Sequence, residues 1–279
     1  RPIRLSRIKS MIARNRRLWA LLLFALLSGV VGLWVWQGRQ STDSKNEPLV
    51  LMSSIDLRWG ETEFGALAKG EAEPDALYQR LSETHKISAV DNVAQLQASR
   101  AKVALLVQPR PFSPEELVRL DQWVRAGGRL LFFADPALQW PSDLPIGDPA
   151  RPLFTSMHSP LFAHWGIELV LPMEAETESA ESDVQIGTHG VQVISAGQWQ
   201  SLATSDRVCR IGKTPLIAEC RPGKGQVILV ADADLLHVSL WQSALPGTDN
   251  SENIAWVERL LTRLEQGQRA VGQRGEILD

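Results

Sequence analysis

Leu106–Pro136 reads LVQPRPFSPEELVRLDQWVRAGGRLLFFADP, and this stretch decides the fold. An apolar run, Lys102–Val107 (KVALLV), leads into it. Ser113 stands where a helix N-cap is needed, Pro114 takes the first helical position, and Glu116 completes a capping box. Leu117, Leu120 and Val124 recur at helical spacing and give one apolar face, and Gly127-Gly128 ends it. Arg129–Ala134 (RLLFFA) then resumes as a buried strand. Strand, helix and strand within about 30 residues make a βαβ unit. Such a unit requires a parallel pair joined by a right-handed crossover.

The flanking sequence extends the same pattern. Leu49–Ser53 (LVLMS) is a first strand, apolar throughout as in a sheet covered on both faces. Pro74–Thr84 reads as a helix and His85–Val90 as a second strand. Toward the C-terminus the pattern becomes antiparallel: Val208–Gly212 faces Leu216–Arg221 around Thr214-Pro215, and Arg221–Gly225 turns the chain into Gln226–Ala231. A last helix is expected with Asp249 and Glu252 as capping box and Ile254, Val257, Leu261 and Leu264 as its stripe. Glu174–Asp183 (EAETESAESD) reads as a solvated acidic loop. The expected architecture is an α/β domain over 49–266, mostly parallel, with an antiparallel hairpin insertion and a polar tail at 267–279.

Residues 1–17 hold seven Lys or Arg and no acid, and 18–36 (LWALLLFALLSGVVGLWVW) carry no charge. A segment of about 20 apolar residues spans a bilayer core. The positive-inside tendency keeps the basic head cytoplasmic, with Trp34 and Trp36 at the far interface. The expectation is a single-pass anchor at 18–36 in the cytoplasmic (inner) membrane, a linker at 37–48 and a periplasmic domain. The alternative, a cleaved signal peptide, lacks a small-x-small cleavage site after the run. The whole chain carries net charge −3, of which the head contributes +7, so the remainder is at −10. That acidity argues against nucleic acid as a partner.

With those residues in view, the chain resembles a known group. The pieces PLVLMSSIDLRWGE (Pro48–Glu61), VQPRPFSPEELVRLDQWVRAGGRLLFFADPAL (Val107–Leu138) and GKGQVILVADADLL (Gly223–Leu236) look like membrane-anchored auxiliary proteins of uncharacterised ABC-type transport systems, related to a gliding-motility transporter component. The resemblance covers roughly residues 49–265 and implies a flavodoxin-like domain similar to the class I glutamine amidotransferase fold. It also implies permease or ATPase subunits as partners. Amidotransferases carry a nucleophilic Cys on a tight strand-to-helix turn and a His-x-Glu pair. Here both cysteines lie in the expected hairpin and no His-x-Glu occurs, so no catalytic residue carries over.

Several residues offer other chemistry. Asp135, and Asp232 with Asp234, follow apolar strands, where open α/β sheets place their ligand crevice. Ser53 and Ser54 end the first strand, and His158 lies in the cluster SMHSP (Ser156–Pro160). These six are the candidate ligand-binding residues. The preferred alternative is structural, with Asp135 starting an Asp-Pro turn and Asp234 capping a helix. His85, His158, His164, His189 and His237 are scattered, and the six-residue spacing of His158 and His164 does not share a helical face, so no metal is expected. No cofactor is expected either: Gly223-Lys224-Gly225 joins two strands and lacks phosphate-loop spacing.

Centring the hairpin on Thr214-Pro215 pairs Ile211 with Ala218, Arg210 with Glu219 and Cys209 with Cys220. Directly opposed residues suit either a disulfide, which an exported compartment permits, or two buried thiols. The functional expectation is a non-enzymatic accessory subunit binding a partner subunit or a solute. Its rivals are a hydrolase-like enzyme using Asp135, His158 or Asp232, and an oligomerising scaffold.

Overall fold

The computed structural model describes residues 47–58, 74–172, 181–203, 208–241, 252–270 and 272. The chain divides into two compact units, 1–47 and 48–279, and the second is the one described here. The expected anchor at 18–36 lies outside the described residues, among which no helix is long and apolar enough to cross a membrane.

Among the described residues there are eleven strands and five α-helices: β1 (Glu47–Ser53), α1 (Ala76–Ser82), β2 (His85–Ala89), α2 (Val93–Ser99), β3 (Val103–Val107), α3 (Pro114–Arg125), β4 (Arg129–Phe133), α4 (Ser159–His164), β5 (Ile167–Val170), β6 (Glu181–Ile186), β7 (His189–Ile194), β8 (Gln198–Ser201), β9 (Cys209–Ile211), β10 (Ile217–Cys220), β11 (Gln226–Val230) and α5 (Asn253–Gln266). The main sheet has seven strands in the order β2-β1-β3-β4-β11-β10-β9. β1, β3, β4 and β11 pair in parallel. β10 and β9 continue the sheet antiparallel. The expected hairpin insertion is therefore an extension of the main sheet, because β10 hydrogen-bonds directly to β11. Two small antiparallel pairs, β5·β8 and β6·β7, stand apart from it.

All five residues of β3, Leu130–Phe133 of β4 and Val227–Val230 of β11 are apolar and buried. Alternate residues face opposite sides, so both faces must be covered. One cover pairs α1 with α5 through Arg80–Glu258 at 2.8 Å, while His85 of β2 reaches Glu265 of α5 at 2.7 Å. In the other, α2 lies against α3, where Gln97 donates to the Arg119 carbonyl. The α3 cap forms as the sequence specifies: the Glu116 N–H donates to Ser113 Oγ and the Ser113 N–H to Glu116 Oε2. Leu120 and Val124 are fully buried on its inner face.

Several local expectations change. α2, a two-turn helix capped by Asn92, fills a stretch that carried no assignment. β1 begins at Glu47, inside the expected linker. Glu181–Asp183 of the acidic stretch open β6 rather than a loop, and their exposed side chains explain the polar sequence. Residue Asp249 is not described, and Glu252 at the N-cap of α5 makes no side-chain cap bond. Its carboxylate goes to His189 Nδ1 at 2.6 Å. Residues 267–270, expected as the start of a tail, pack onto the sheet: Ala270 is buried and its N–H donates to Glu219 Oε2 at 2.8 Å.

Candidate functional site

The carboxyl ends of β1, β3, β4 and β11 lie side by side, and a polar residue stands within two positions of each strand end: Ser54, Gln108, Asp135 and Asp232. Gln108 follows β3 with φ +41°, a left-handed conformation that costs a residue bearing Cβ. Its fully buried side chain compensates with three bonds. Oε1 accepts from the Asp135 N–H at 2.9 Å, and Nε2 donates to the carbonyls of Asp135 and Leu153, both at 3.1 Å. Its own carbonyl accepts from the Ser54 N–H. Gln108 thus ties the ends of β1, β3 and β4 together. Gln108 is not among the six candidates, although it follows an apolar strand in the sequence just as Asp135 does.

The three aspartates come together at the ends of β4 and β11, beneath the surface. Asp135 Oδ1 accepts from the Ala137 N–H and Oδ2 from the Ala233 N–H, at 2.7 and 2.8 Å. Asp232 accepts from Leu235 and Ile194 at 2.7 and 3.0 Å. Asp234 accepts from the Gln139 N–H at 2.7 Å. Burial raises all three: Asp135 to about 6, Asp234 to about 7, and Asp232 well above the usual carboxylate range, where the charges of Asp135 and Asp234 add to burial. The Asp-Pro turn at Asp135 is present. Asp234 does not cap a helix: it is the first residue of the 3₁₀ turn Asp234–Leu236, whose N-cap is Ala233, and the Leu235 N–H of that turn donates to Asp232 Oδ1. One open crevice holding all six candidates does not form.

Ser53 Oγ accepts from the Ile55 N–H and Ser54 Oγ from the Leu153 N–H, at 2.9 and 3.5 Å. His158 is fully buried among Phe112, Phe132 and Phe162. Nε2 donates to the Arg110 carbonyl at 3.2 Å, which leaves Nδ1 to accept from Ser156 Oγ at 3.3 Å. Burial lowers the ring to about 4, so it is neutral at pH 7. Among the described residues no group of three or more His, Cys, Asp or Glu is placed to hold a metal ion.

Two surface features remain at this end of the domain. A cavity of about 310 Å³ lies over the ends of β1 and β3, lined by Met52, Ser53, Asp91, Arg110, Pro111, Phe112 and Glu116. Of the six candidates only Ser53 touches it. Beside it, Leu138–Phe154 forms an Ω-type loop closed at its neck by the Leu138 N–H donating to the Phe154 carbonyl at 2.8 Å. Gln108 and Asp135 fix its base through Leu153 and Ser156. Arg151 crosses the loop, donating to the carbonyls of Ser142 and Leu144, with its guanidinium 5.1 Å from the Phe154 ring centre. Leu144, Ile146 and Phe154 are exposed on it, Ile146 at 83%, and Met157 is exposed just beyond.

The sequence matches a family model described as an ABC-type uncharacterized transport system over residues 50–208, more than half the chain. The protein belongs to that family. The match runs from β1 through the aspartate at β4 and the Ω loop to the threshold of β9. It stops short of β11, so Asp232 and Asp234 lie beyond it. No curated protein matches the chain. Solved structures similar to it include the exo-beta-1,4-mannosidase Op5Man5 from Opitutaceae bacterium strain TAV5, at 16% identity over 77% of this chain and 36% of that one, TM-score 0.43. Another is the mmIFT52 N-terminal domain, at 12% identity over 79% and 99%, TM-score 0.43. A ThuA-like protein from Bacteroides uniformis aligns at 9% identity over 82% and 94%, TM-score 0.39. The chain spans about a third of the mannosidase.

Proposed function

We propose that this chain is a non-enzymatic, membrane-anchored accessory subunit of an ABC-type transport system, held by residues 18–36 with its domain on the periplasmic side. The observation that carries the reading, beyond family membership, is the Ω loop. Its neck and crosslinks hold Leu144, Ile146 and Phe154 out to solvent in one ordered loop. Apolar side chains displayed by a braced loop suit docking on another protein. A permease subunit, within reach of a domain tethered by a short linker, is the occupant. Asp234 serves this display, since its carboxylate accepts from the Gln139 N–H just inside the neck of the loop, while Asp135 holds the loop base through its main-chain carbonyl.

The absence of enzyme chemistry is part of the proposal. Each aspartate is engaged by backbone N–H groups. Ser156 and His158 are hydrogen-bonded, but a ring held at about 4 is a feeble base at neutral pH, and its second nitrogen faces a carbonyl rather than a carboxylate. The test is affinity capture from detergent-solubilised membranes. The wild-type chain should retain a permease that the Ile146→Glu, Phe154→Glu double variant loses. A reporter fused after Asp279 should be active only outside the cytoplasmic membrane. Ester or amide hydrolysis that disappears with Ser156→Ala would overturn the reading.

A further inference from the structure

The cavity over β1 and β3 stands at a special place in the sheet. In the order β2-β1-β3 the chain leaves β1 toward one edge and returns past it to β3. The connections from these neighbouring strands therefore diverge, and a crevice opens at their carboxyl ends. Met52 and Ser53 come from the end of β1, Arg110, Pro111 and Phe112 from the loop after β3, Asp91 from the entry to α2, and Glu116 from the first turn of α3. Its volume of about 310 Å³ fits a small solute rather than a polymer or a dinucleotide.

The lining has a charge pattern of its own. The Arg110 guanidinium makes no hydrogen bond or ion pair with the described residues, and neither does the Asp91 carboxylate. Glu116 uses only Oε2, in the α3 cap, and keeps Oε1 available. Ser53 Oγ spends an acceptor site on the Ile55 N–H and keeps its O–H to donate. One free cation and two available carboxylates thus share a cavity without pairing off. The wall is held from behind: His158 binds the Arg110 carbonyl, and its ring meets Phe112 edge-on with centroids 4.7 Å apart. This support fixes the backbone that carries Arg110 and the ring that closes the side.

From this geometry we infer that the cavity binds a zwitterionic solute of the α-amino-acid type. The fork of Arg110 takes the solute carboxylate, as planar guanidinium groups do. Asp91 and Glu116 take the ammonium, and Met52, Pro111 and Phe112 receive the side chain. The two acids against one cation leave the lining at −1, which favours a neutral or basic amino acid over an acidic one. This goes beyond the accessory role and does not depend on it, because the binding belongs to the purified chain alone.

Isothermal titration calorimetry of the full chain in detergent, against pools of the twenty proteinogenic amino acids, tests the inference. At least one should bind saturably. Its N-acetylated and decarboxylated forms, each lacking one charge, should bind about tenfold or more weaker, as should the amino acid itself to Arg110→Gln or Asp91→Asn. Both side chains are exposed, so these variants should keep the wild-type melting temperature. Lack of binding by every pool overturns the inference. So does saturable binding that survives Arg110→Gln, or competition by glucose equal to that by the amino acid. Loss of permease capture with amino-acid binding intact would sink only the accessory role.

Discussion

The Nε2 of His158 sits 3.2 Å from the carbonyl oxygen of Arg110, forty-eight residues earlier in the chain. A histidine that sequence reading offered as a ligand is instead a strut between the start of α4 and the loop after β3. Its chemistry is that of a buried neutral ring, and this has a measurable signature.

Because the folded state holds His158 at about 4 against 6.5 unfolded, the unfolded chain binds the extra proton between those values. Its contribution to stability therefore grows as pH rises from about 4 to 6.5 and is lost on acidification. His158→Gln, which retains an N–H for the Arg110 carbonyl, should remove that contribution. Plotted as variant minus wild type, melting temperature should fall as pH rises across this window. A flat difference would mean the ring is solvated.

Asp234 carries the opposite sign. Its carboxyl is raised from 3.8 to about 7, so the folded state holds the proton that the unfolded chain has released. That stability is full below about 3.8 and is lost as pH rises toward 7. Asp234→Asn keeps an oxygen for the Gln139 N–H. Its melting temperature should therefore gain on the wild type as pH rises from about 4 to 7, checked by the same pair of thermal titrations.

Much of this was legible in the chain, and the reasons are local. Ser113, Pro114 and Glu116 cap α3 through contacts within four residues, so sequence alone contains both partners. The β9–β10 register, with Glu219 opposite Arg210 and Cys220 opposite Cys209, followed from one tight turn. What escaped depends on remote partners. Gln108 is explained by Asp135 and Leu153, and Glu252 abandons its helix for His189 across the fold. α2 has only seven residues with Val93 and Leu96 buried, too short for a periodicity to show. Five of the six candidate site residues lie at or just after strand ends and His158 precedes α4, but which of them opens to solvent is set by loops whose paths no single-chain pattern encodes.

The hairpin between β10 and β11 allows a sharp test of packing. A Cβ on Gly225 would lie 2.0 Å from the Val124 carbonyl oxygen and 2.6 Å from that of Gly128. Both are backbone atoms at the end of α3 and cannot swing aside. Gly225→Ala should cost more than about 3 kcal/mol. Urea denaturation would show it, and a cost under 1 kcal/mol would mean this junction is looser than described.

Cys209 and Cys220 are joined as a disulfide, eleven residues apart in sequence. Closing a loop of about this length stabilises by roughly 3 kcal/mol in the chain-entropy model. Reduction should therefore lower the melting temperature and speed amide exchange at β9, the edge strand, while β4 stays protected to the global limit. Equal acceleration at both strands would place the bond's effect elsewhere.

The bond from the Ala233 N–H to Asp135 joins residues 98 positions apart. β4 therefore waits for its neighbour β11 until the whole of β5 to β10 has been made. At a synthesis rate of about 5–20 residues per second, that leaves a central strand, apolar from Leu130 to Phe133, with a bare edge for several seconds. Contacts of such long sequence separation also form slowly in the finished chain. The strand that anchors the candidate site is thus left open to misassociation while the rest of the domain is being made.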